Sequence, residues 1–315
     1  MIISVNEARQ HGLLFLKTTI IQQQALGAPK CDKIFKDMCG STPAVIANIW
    51  ADLMATQVLN ASCVKADRTL AGFRHFLIAH CFLWGCPRNA NWMRVLFFPV
   101  GEKDTRGEPL WRWVRKIQAL LPSKIRFLPR WEDTDDQFCE VMIVGVDGTD
   151  CKIPERQHEI FPMDKGLMSH KFKHAALKCE IAVAICEDKI VWVNGPFKGA
   201  KHDITIFREA GLKDKMSSLP GKVAIADRGY QTSKPDEVNM LATPQMNDNP
   251  ELHRFMSRAR CRTETVMGRI KNCRCTSDMF RHGNEALEEK HEWAFKAVVV
   301  IVQYQIDNGS HLCEV

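Results

Sequence analysis

Long hydrophobic runs are missing from this 315-residue sequence. Its longest apolar stretches, such as AVVVIV at 297–302, fall far short of the roughly 20 residues that a membrane-spanning helix needs. No membrane partner is therefore expected. A repeated CxxC is missing as well. Thirteen cysteines are present, but the count is odd, and the closest pairs (Cys81 with Cys86, Cys273 with Cys275) lack the doubled spacing of a zinc ligand set. They read as reduced, mostly buried thiols of an intracellular protein. The opening MIISVNEARQ acquires charge too early for a secretory leader, so secretion is not expected. There is no internal repeat and no low-complexity segment. Acidic residues are almost absent from one stretch: residues 253–275 hold seven basic side chains and a single acid, Glu264.

With 45% hydrophobic and 25% charged residues, the sequence can bury a substantial core in one large domain or two of ordinary size. The formal charge is +6. Residues 1–140 carry 18 Lys/Arg against 13 Asp/Glu, whereas residues 141–315 carry 25 against 24. The basic stretch around Glu264 thus stands out within a nearly neutral half, and it suits either a polyanion such as nucleic acid or a solvated helix face.

Residues 1–135 read as a helical domain. In GSTPAVIANIWADLMAT, Ser41 and Thr42 are cap candidates and Pro43 falls in the first turn, ahead of apolar residues at helical spacing. RTLAGFRHFLIAHCFLW reads as a more buried helix. The stretch 91–121 reads as helix, turn, helix, with Leu110, Val114, Ile117 and Leu121 as one apolar stripe. Arg112, Arg115 and Lys116 project elsewhere, which is the layout of a base-reading helix in a helix-turn-helix domain. An unspecialised bundle would show the same pattern.

Polar residues at 130–137 mark the boundary, and residues 136–315 read as an α/β domain. Four apolar runs predict strands: EVMIVGVDG, then HAALKCEIAVAICED and KIVWVNGPF joined by a turn at Glu187 and Asp188, then GKVAIADRGY. Helical periodicity returns from 249 onward. The first and fourth runs end alike, at Asp147 and Asp227. In an open α/β sheet, ligands gather beyond the carboxyl ends of the strands. Two apposed carboxylates there would repel unless a divalent cation lay between them. Each Asp alone fits ordinary turn chemistry equally well. The order of elements is that of a ribonuclease H-like nuclease fold, a mixed sheet flanked by helices, with Glu264 on the last basic helix. Asp203 in KHDITIF fits a cap of the short helix that follows it. Gly229 suits the turn after Asp227, Tyr230 packs beneath it, and Asp150 and Asp164 read as solvated loop residues.

The ordered set DGT at 147–149, GAKHD at 199–203, DRGY at 227–230 and a basic helix with Glu264 resembles the DDE transposases of the PIF/Harbinger group, relatives of the IS4/IS5-type bacterial insertion-sequence enzymes. The related bacterial enzymes carry a Tyr-Arg-Glu-Lys signature. Arg260, Glu264 and Lys271 fit its spacings of four and seven, while Ser257 stands where the Tyr would be. The resemblance spans about residues 141–305, and the helical first half is similar only loosely.

That resemblance implies a metal-dependent DNA transposase or endonuclease. Asp147, Asp227 and Glu264 would be its catalytic, metal-binding acids, with Asp203 a further candidate ligand. Two Mg²⁺ or Mn²⁺ ions would support in-line hydrolysis at transposon ends and joining of the 3′-hydroxyl to target DNA. Hard oxygen ligands suit such ions. Arg258, Arg260, Arg262, Arg269, Lys271 and Arg274 would contact the DNA backbone, joined by Lys201 and His202. The partners implied are double-stranded DNA, a second copy of the chain and a separate Myb-like DNA-binding protein, in the nucleus if the source is eukaryotic. Two alternatives remain open: a domesticated DNA-binding protein, and a nuclease that cuts without joining. A zinc module built on Cys261, Cys273, Cys275 and His282 is a third, disfavoured by its spacing.

Overall fold

The computed structural model describes residues 1–15, 18–55, 68–85, 108–127, 137–155, 164–245, 249–282 and 286–315. The helices α1 (Val5–Phe15), α2 (Ile20–Leu26), α3 (Ala28–Cys39), α4 (Pro43–Ala55), α5 (Leu70–Gly85), α6 (Glu108–Gln118), α7 (Leu121–Lys124) and α8 (Gln137–Val141) come first. Then follow β1 (Met142–Lys152), β2 (Met168–Ser169), β3 (His174–Ala184) and β4 (Ile190–Lys198). Helices α9 (Asp203–Glu209) and α10 (Leu212–Ser217) precede β5 (Val223–Ile225), α11 (Pro235–Val238) and β6 (Leu241–Ala242). Three helices close the chain: α12 (Pro250–Asn272), α13 (Arg274–Ser277) and α14 (Leu287–Asp307).

Packing divides the chain into two compact units. The first comprises Met1–Lys124, Asn272–Asp278 and His282–Gly309. The second comprises Ile125–Lys271, Met279–Arg281 and Ser310–Val315. The sequence places the boundary at 130–137, and residues 130–136 of that stretch lie outside the described residues. It also runs the second domain through to 315, whereas α14 packs with the helical unit. The run AVVVIV is the reason: all six side chains are buried in α14. Among the described residues, no helix is long and apolar enough to cross a membrane.

The helical unit is built on aromatic contacts. Trp50 of α4 stacks on Trp113 of α6 at 5.7 Å and meets Phe73 of α5 edge-on at 5.2 Å. Thr42 accepts the Val45 N–H at 3.4 Å and Pro43 opens α4, as its sequence suggests. In α6, Leu110, Val114 and Ile117 are buried as the apolar stripe requires, but so are Trp111, Trp113 and Lys116. Lys116 lies with its ammonium 4.5 Å from the centre of the Trp113 ring. A buried lysine cannot reach a DNA groove, so its base-reading assignment is corrected. Arg112 is half-buried, and Arg115 is exposed with its guanidinium 4.8 Å over Trp293. The helix expected ahead of α6 falls at 91–100, outside the described residues.

The second unit is a mixed sheet in the order β2-β3-β1-β5-β6, with β4 also paired to β3. β3 runs antiparallel to β1 and β4, and β5 runs parallel to β1 and β6. One face packs Val144, Val146, Ala182 and Ala224 against Phe207, Leu212 and Met216 of α9 and α10. The other packs Ile185 and Ile225 against Phe255, Met256 and Ala259 of α12. This mixed sheet flanked by helices is consistent with a ribonuclease H-like domain.

Gly145 controls how closely α12 approaches. A Cβ built there would stand 2.2 Å from Thr263 Oγ1 and 3.3 Å from the Ala259 carbonyl oxygen. Gly145→Ala should therefore cost about 1–3 kcal/mol through overpacking. Adding Thr263→Ala in the same chain should recover most of the loss. Thermal unfolding of the two single variants and the double variant measures this coupling; strictly additive effects would show that the helix is not seated on Gly145.

Candidate active site

The parallel register of β1 and β5 builds the site. Gly145 pairs with Ile225, so Asp147 and Asp227 each lie two residues past the last pair. β5 stops there, whereas β1 continues to Lys152 by pairing with β3. Asp147 is thus inside its strand and not at the end the sequence suggested, and the carboxyl end belongs to β5 alone. β1 has an open edge just beyond Gly145. A cleft of about 460 Å³ forms there, lined by Asp147, Asp150, Asp203, Asp227 and Glu264. Lys171, Lys178, Lys201 and Arg260 supply its cationic lining, with His170 and His202 beside them.

Short local bonds set the acids. Asp147 accepts the Gly148 N–H at 2.8 Å, and Asp227 accepts the Gly229 N–H at 2.7 Å. A Cβ on Gly229 would stand 2.7 Å from an Asp203 oxygen and 3.0 Å from an Asp227 oxygen. Gly229 therefore serves the turn, as expected, and also leaves room for two carboxylates. Asp203 does not cap its helix: His202 is the N-cap residue, without a side-chain cap bond, and Asp203 takes the Lys178 ammonium at 2.9 Å. Asp150 is buried in β1 and accepts the Ser169 hydroxyl, so it is not the solvated loop residue expected. Asp164 is exposed and pairs with Lys198 at 2.7 Å. Beyond the Asp227 turn, fully buried Glu237 accepts Arg208 at 2.8 and 2.7 Å. The guanidinium holds this carboxyl well below the usual range and anchors the segment that carries Asp227.

Burial, followed by the charge of Asp227, raises the Asp147 carboxyl to about 6. Loss of water and a neighbouring like charge both disfavour the ionised form. Glu264 lines the same cleft, but its side chain is 65% exposed and lies 3.8 Å from Arg260. Such an exposed i,i+4 pair with Arg leading is worth only about 0.2–0.5 kcal/mol and would yield readily to a stronger partner. Among the described residues, no three His, Cys, Asp or Glu side chains are gathered tightly enough to hold a metal ion as they stand. The oxygen donors of Asp147 and Asp227 are of the chemical type that fits a hard divalent cation.

The cations expected to hold DNA are placed differently from one another. Arg258 is exposed and Arg260 borders the cleft. Arg262 is buried, donating to the carbonyls of Ala184, Glu187 and Cys313 and to the Asp188 carboxylate. Arg269 donates to the Ser310 and His311 carbonyls, and Lys271 to the Asp150 carbonyl at 2.6 Å. Buried Arg262 is thus a structural tie, which corrects its assignment to the DNA backbone, while Arg269 and Lys271 are part-exposed and spend donors on main-chain carbonyls. Arg274 is exposed on α13, in the helical unit. Lys201 pairs with Glu209 at 2.6 Å, and His202 stacks on His170 at 6.0 Å.

Sequence reasoning missed Lys178 and Glu180. Strand alternation places both on one face of β3, where they face Asp150 and Gly148 across the ladder. The signal was a charged pair two residues apart inside the otherwise apolar HAALKCEIAVA. Glu180 is fully buried, accepting from the Tyr230 hydroxyl and the Trp192 indole, both at 3.2 Å. Tyr230 is itself buried beneath the Asp227 turn, as expected. Burial raises the Glu180 carboxyl to about 7.

A carboxyl whose folded pKa is raised favours folding below its unfolded pKa and loses that contribution as pH rises through the folded value. Wild-type stability should therefore decline between about pH 4.5 and pH 7. Glu180→Gln should remove up to roughly 3 kcal/mol of that decline. Urea unfolding at pH 5 and pH 8 checks this, and parallel pH profiles for the two proteins would disprove it.

No curated protein and no solved structure gives a significant match to the chain. A family model does match, over residues 146–302, and its description is DDE superfamily endonuclease. The matched stretch runs from the residue before Asp147 to beyond Glu264 and takes in every acid of the cleft. Residues 146–302 are therefore similar to a DDE superfamily endonuclease domain.

Proposed function

We propose that this protein is a metal-dependent DNA endonuclease of the PIF/Harbinger transposase type, and that its cleft of acids is the cutting site. The observation that carries the reading is the Gly145–Ile225 register, which sets Asp147 and Asp227 side by side where β5 stops. The reaction class is phosphodiester hydrolysis. Water attacks phosphorus and the 3′ oxygen leaves as a hydroxyl, which in a transposase then attacks a target phosphodiester.

Asp147 and Asp227 would hold Mg²⁺ or Mn²⁺, with Glu264 completing the set. The ions supply charge neutralisation at phosphorus and a more acidic water. Gly148 and Gly229 N–H groups keep the two Asp carboxylates aimed into the cleft. Asp203, neutralised by Lys178, is better suited to supporting the Gly229 turn than to binding an ion directly. Its single charge-assisted bond leaves the second oxygen against Gly229. Arg260, released when Glu264 turns inward, would face the phosphate.

The partner in this reading is double-stranded DNA. With Lys116 buried, α6 offers little for base reading. A second copy and a separate Myb-like protein, as in the resembling family, would then contribute end recognition, and the work would be done in the nucleus of a eukaryotic source. A second reading, a DNA-binding protein that does not cut, draws on the exposure of Glu264 and its pairing with Arg260.

Nicking of supercoiled plasmid separates the two. Wild-type protein should nick with Mg²⁺ or Mn²⁺ and not with EDTA. Asp147→Asn, Asp227→Asn and Glu264→Gln should each slow nicking by at least about a hundredfold, the size of a lost contribution of several kcal/mol. Plasmid binding without nicking in any divalent ion would support the second reading and sink the first.

A further inference from the structure

The helix with the most positive sequence commits several of its cations to the fold. Arg262, Arg269 and Lys271 of α12 are tied to main-chain carbonyls. The β2–β3 side of the cleft is different. Residues 165–174, KGLMSHKFKH, contain Lys165, Lys171 and Lys173 with His170 and His174, and no acid. Lys165, His170, Lys171 and Lys173 are exposed. Among the described residues, neither Lys171 nor Lys173 forms an ion pair.

This turn is held from several sides. The Lys173 N–H donates to the Ser169 carbonyl at 2.9 Å, and the Phe172 N–H donates to the Ser169 hydroxyl oxygen at 3.2 Å. That hydroxyl in turn donates to buried Asp150. Lys152 places its ammonium 4.8 Å over the Phe172 ring. Lys173 adopts a left-handed φ of 51°, which a non-glycine residue keeps only where its surroundings enforce it. The neighbouring loop is tied in through the Ala200 N–H, 2.9 Å from the Gly166 carbonyl oxygen.

One end of this platform borders the acids, with Lys173 two residues further along the turn. His170 and Lys171 line the cleft with Asp147, Asp227 and Glu264. The His170 ring is also backed by His202, with the two planes 20° apart. Exposed cations on a rigid turn beside a carboxylate cleft fit a polyanion that must bring one phosphate to those carboxylates.

We infer that the β2–β3 hairpin, through Lys171 and Lys173, is the surface that grips the phosphodiester backbone of double-stranded DNA beside the acidic cleft. The inference rests on the endonuclease reading above and replaces α12 as the main backbone contact near the cut. Contacts to phosphate carry no base information, so the grip should be the same for unrelated sequences.

The test is fluorescence anisotropy of a labelled 30-base-pair duplex of arbitrary sequence, with Ca²⁺ in place of Mg²⁺, across a salt series. Lys171→Gln and Lys173→Gln should each lower the slope of log affinity against log salt by about 0.9, and so weaken binding about tenfold at 0.1 M salt. Lys171→Arg with Lys173→Arg should bind as wild type does, which shows that charge and not shape is being read. A charge-matched control, Lys30→Gln with Lys33→Gln on exposed positions of α3, should leave the slope unchanged. If wild-type protein binds and the Lys171 and Lys173 variants keep its slope, this inference fails while the endonuclease reading stands. If wild-type protein binds no duplex, both fail.

Discussion

Everything at the acidic cleft depends on the parallel pairing of β1 with β5. One shift of that register by a residue would turn the Asp147 and Asp227 carboxylates to opposite faces of the sheet, because side chains alternate along a strand. The pairing is short, and β5 itself has only three residues. What secures it is packing from both faces: α9 and α10 on one side, α12 on the other. The lack of a side chain at Gly145 lets α12 settle onto the sheet and carries Glu264 toward the acids. Core packing and site geometry are thus one arrangement, and the cleft is the gap left where β5 ends before β1 does.

Electrostatics then sorts the charged residues by what they face. The acids that line the cleft have few full counter-charges, and Asp147 registers this as a raised carboxyl. Glu237, fully buried, sits among Arg208, Lys213 and Thr232 and is held low. Two carboxyls in one domain therefore move in opposite directions. One belongs to a satisfied structural network, the other to a site with room for a ligand cation. The basic residues divide the same way: those of α12 mostly satisfy carbonyls, while those of the β2–β3 turn remain in solvent.

Much of this was legible in the sequence. The apolar runs ending near Asp147 and Asp227 announced strands and a shared crevice, and the 3.6-residue periodicity around Glu264 announced its helix. The register between β1 and β5 was not legible, because pairing partners lie 80 residues apart and local pattern carries no record of them. Nor was the fate of Arg262: its place in a basic stretch suggested a phosphate contact, and nothing local showed that carbonyls of the β3–β4 turn wait opposite. Lys116 misled because a lysine reads as solvent-facing, whereas a neighbouring tryptophan face can shelter its ammonium. The strand residues Glu180 and Lys178 were overlooked for the converse reason: an apolar run was scored as a whole, and the charges inside it were averaged away.

Arg262 joins stretches of chain that are distant in sequence. Its guanidinium spans the end of β3, the turn at Glu187 and Asp188, and the carbonyl of Cys313. With a side chain only 5% exposed, it cannot exchange a lost acceptor for water at little cost. The segment after α14 therefore acts as a strap across the back of the helix that bears Glu264. A fusion or a cut placed between 307 and 313 would be felt first by a buried cation in the middle of α12, far from where the change was made.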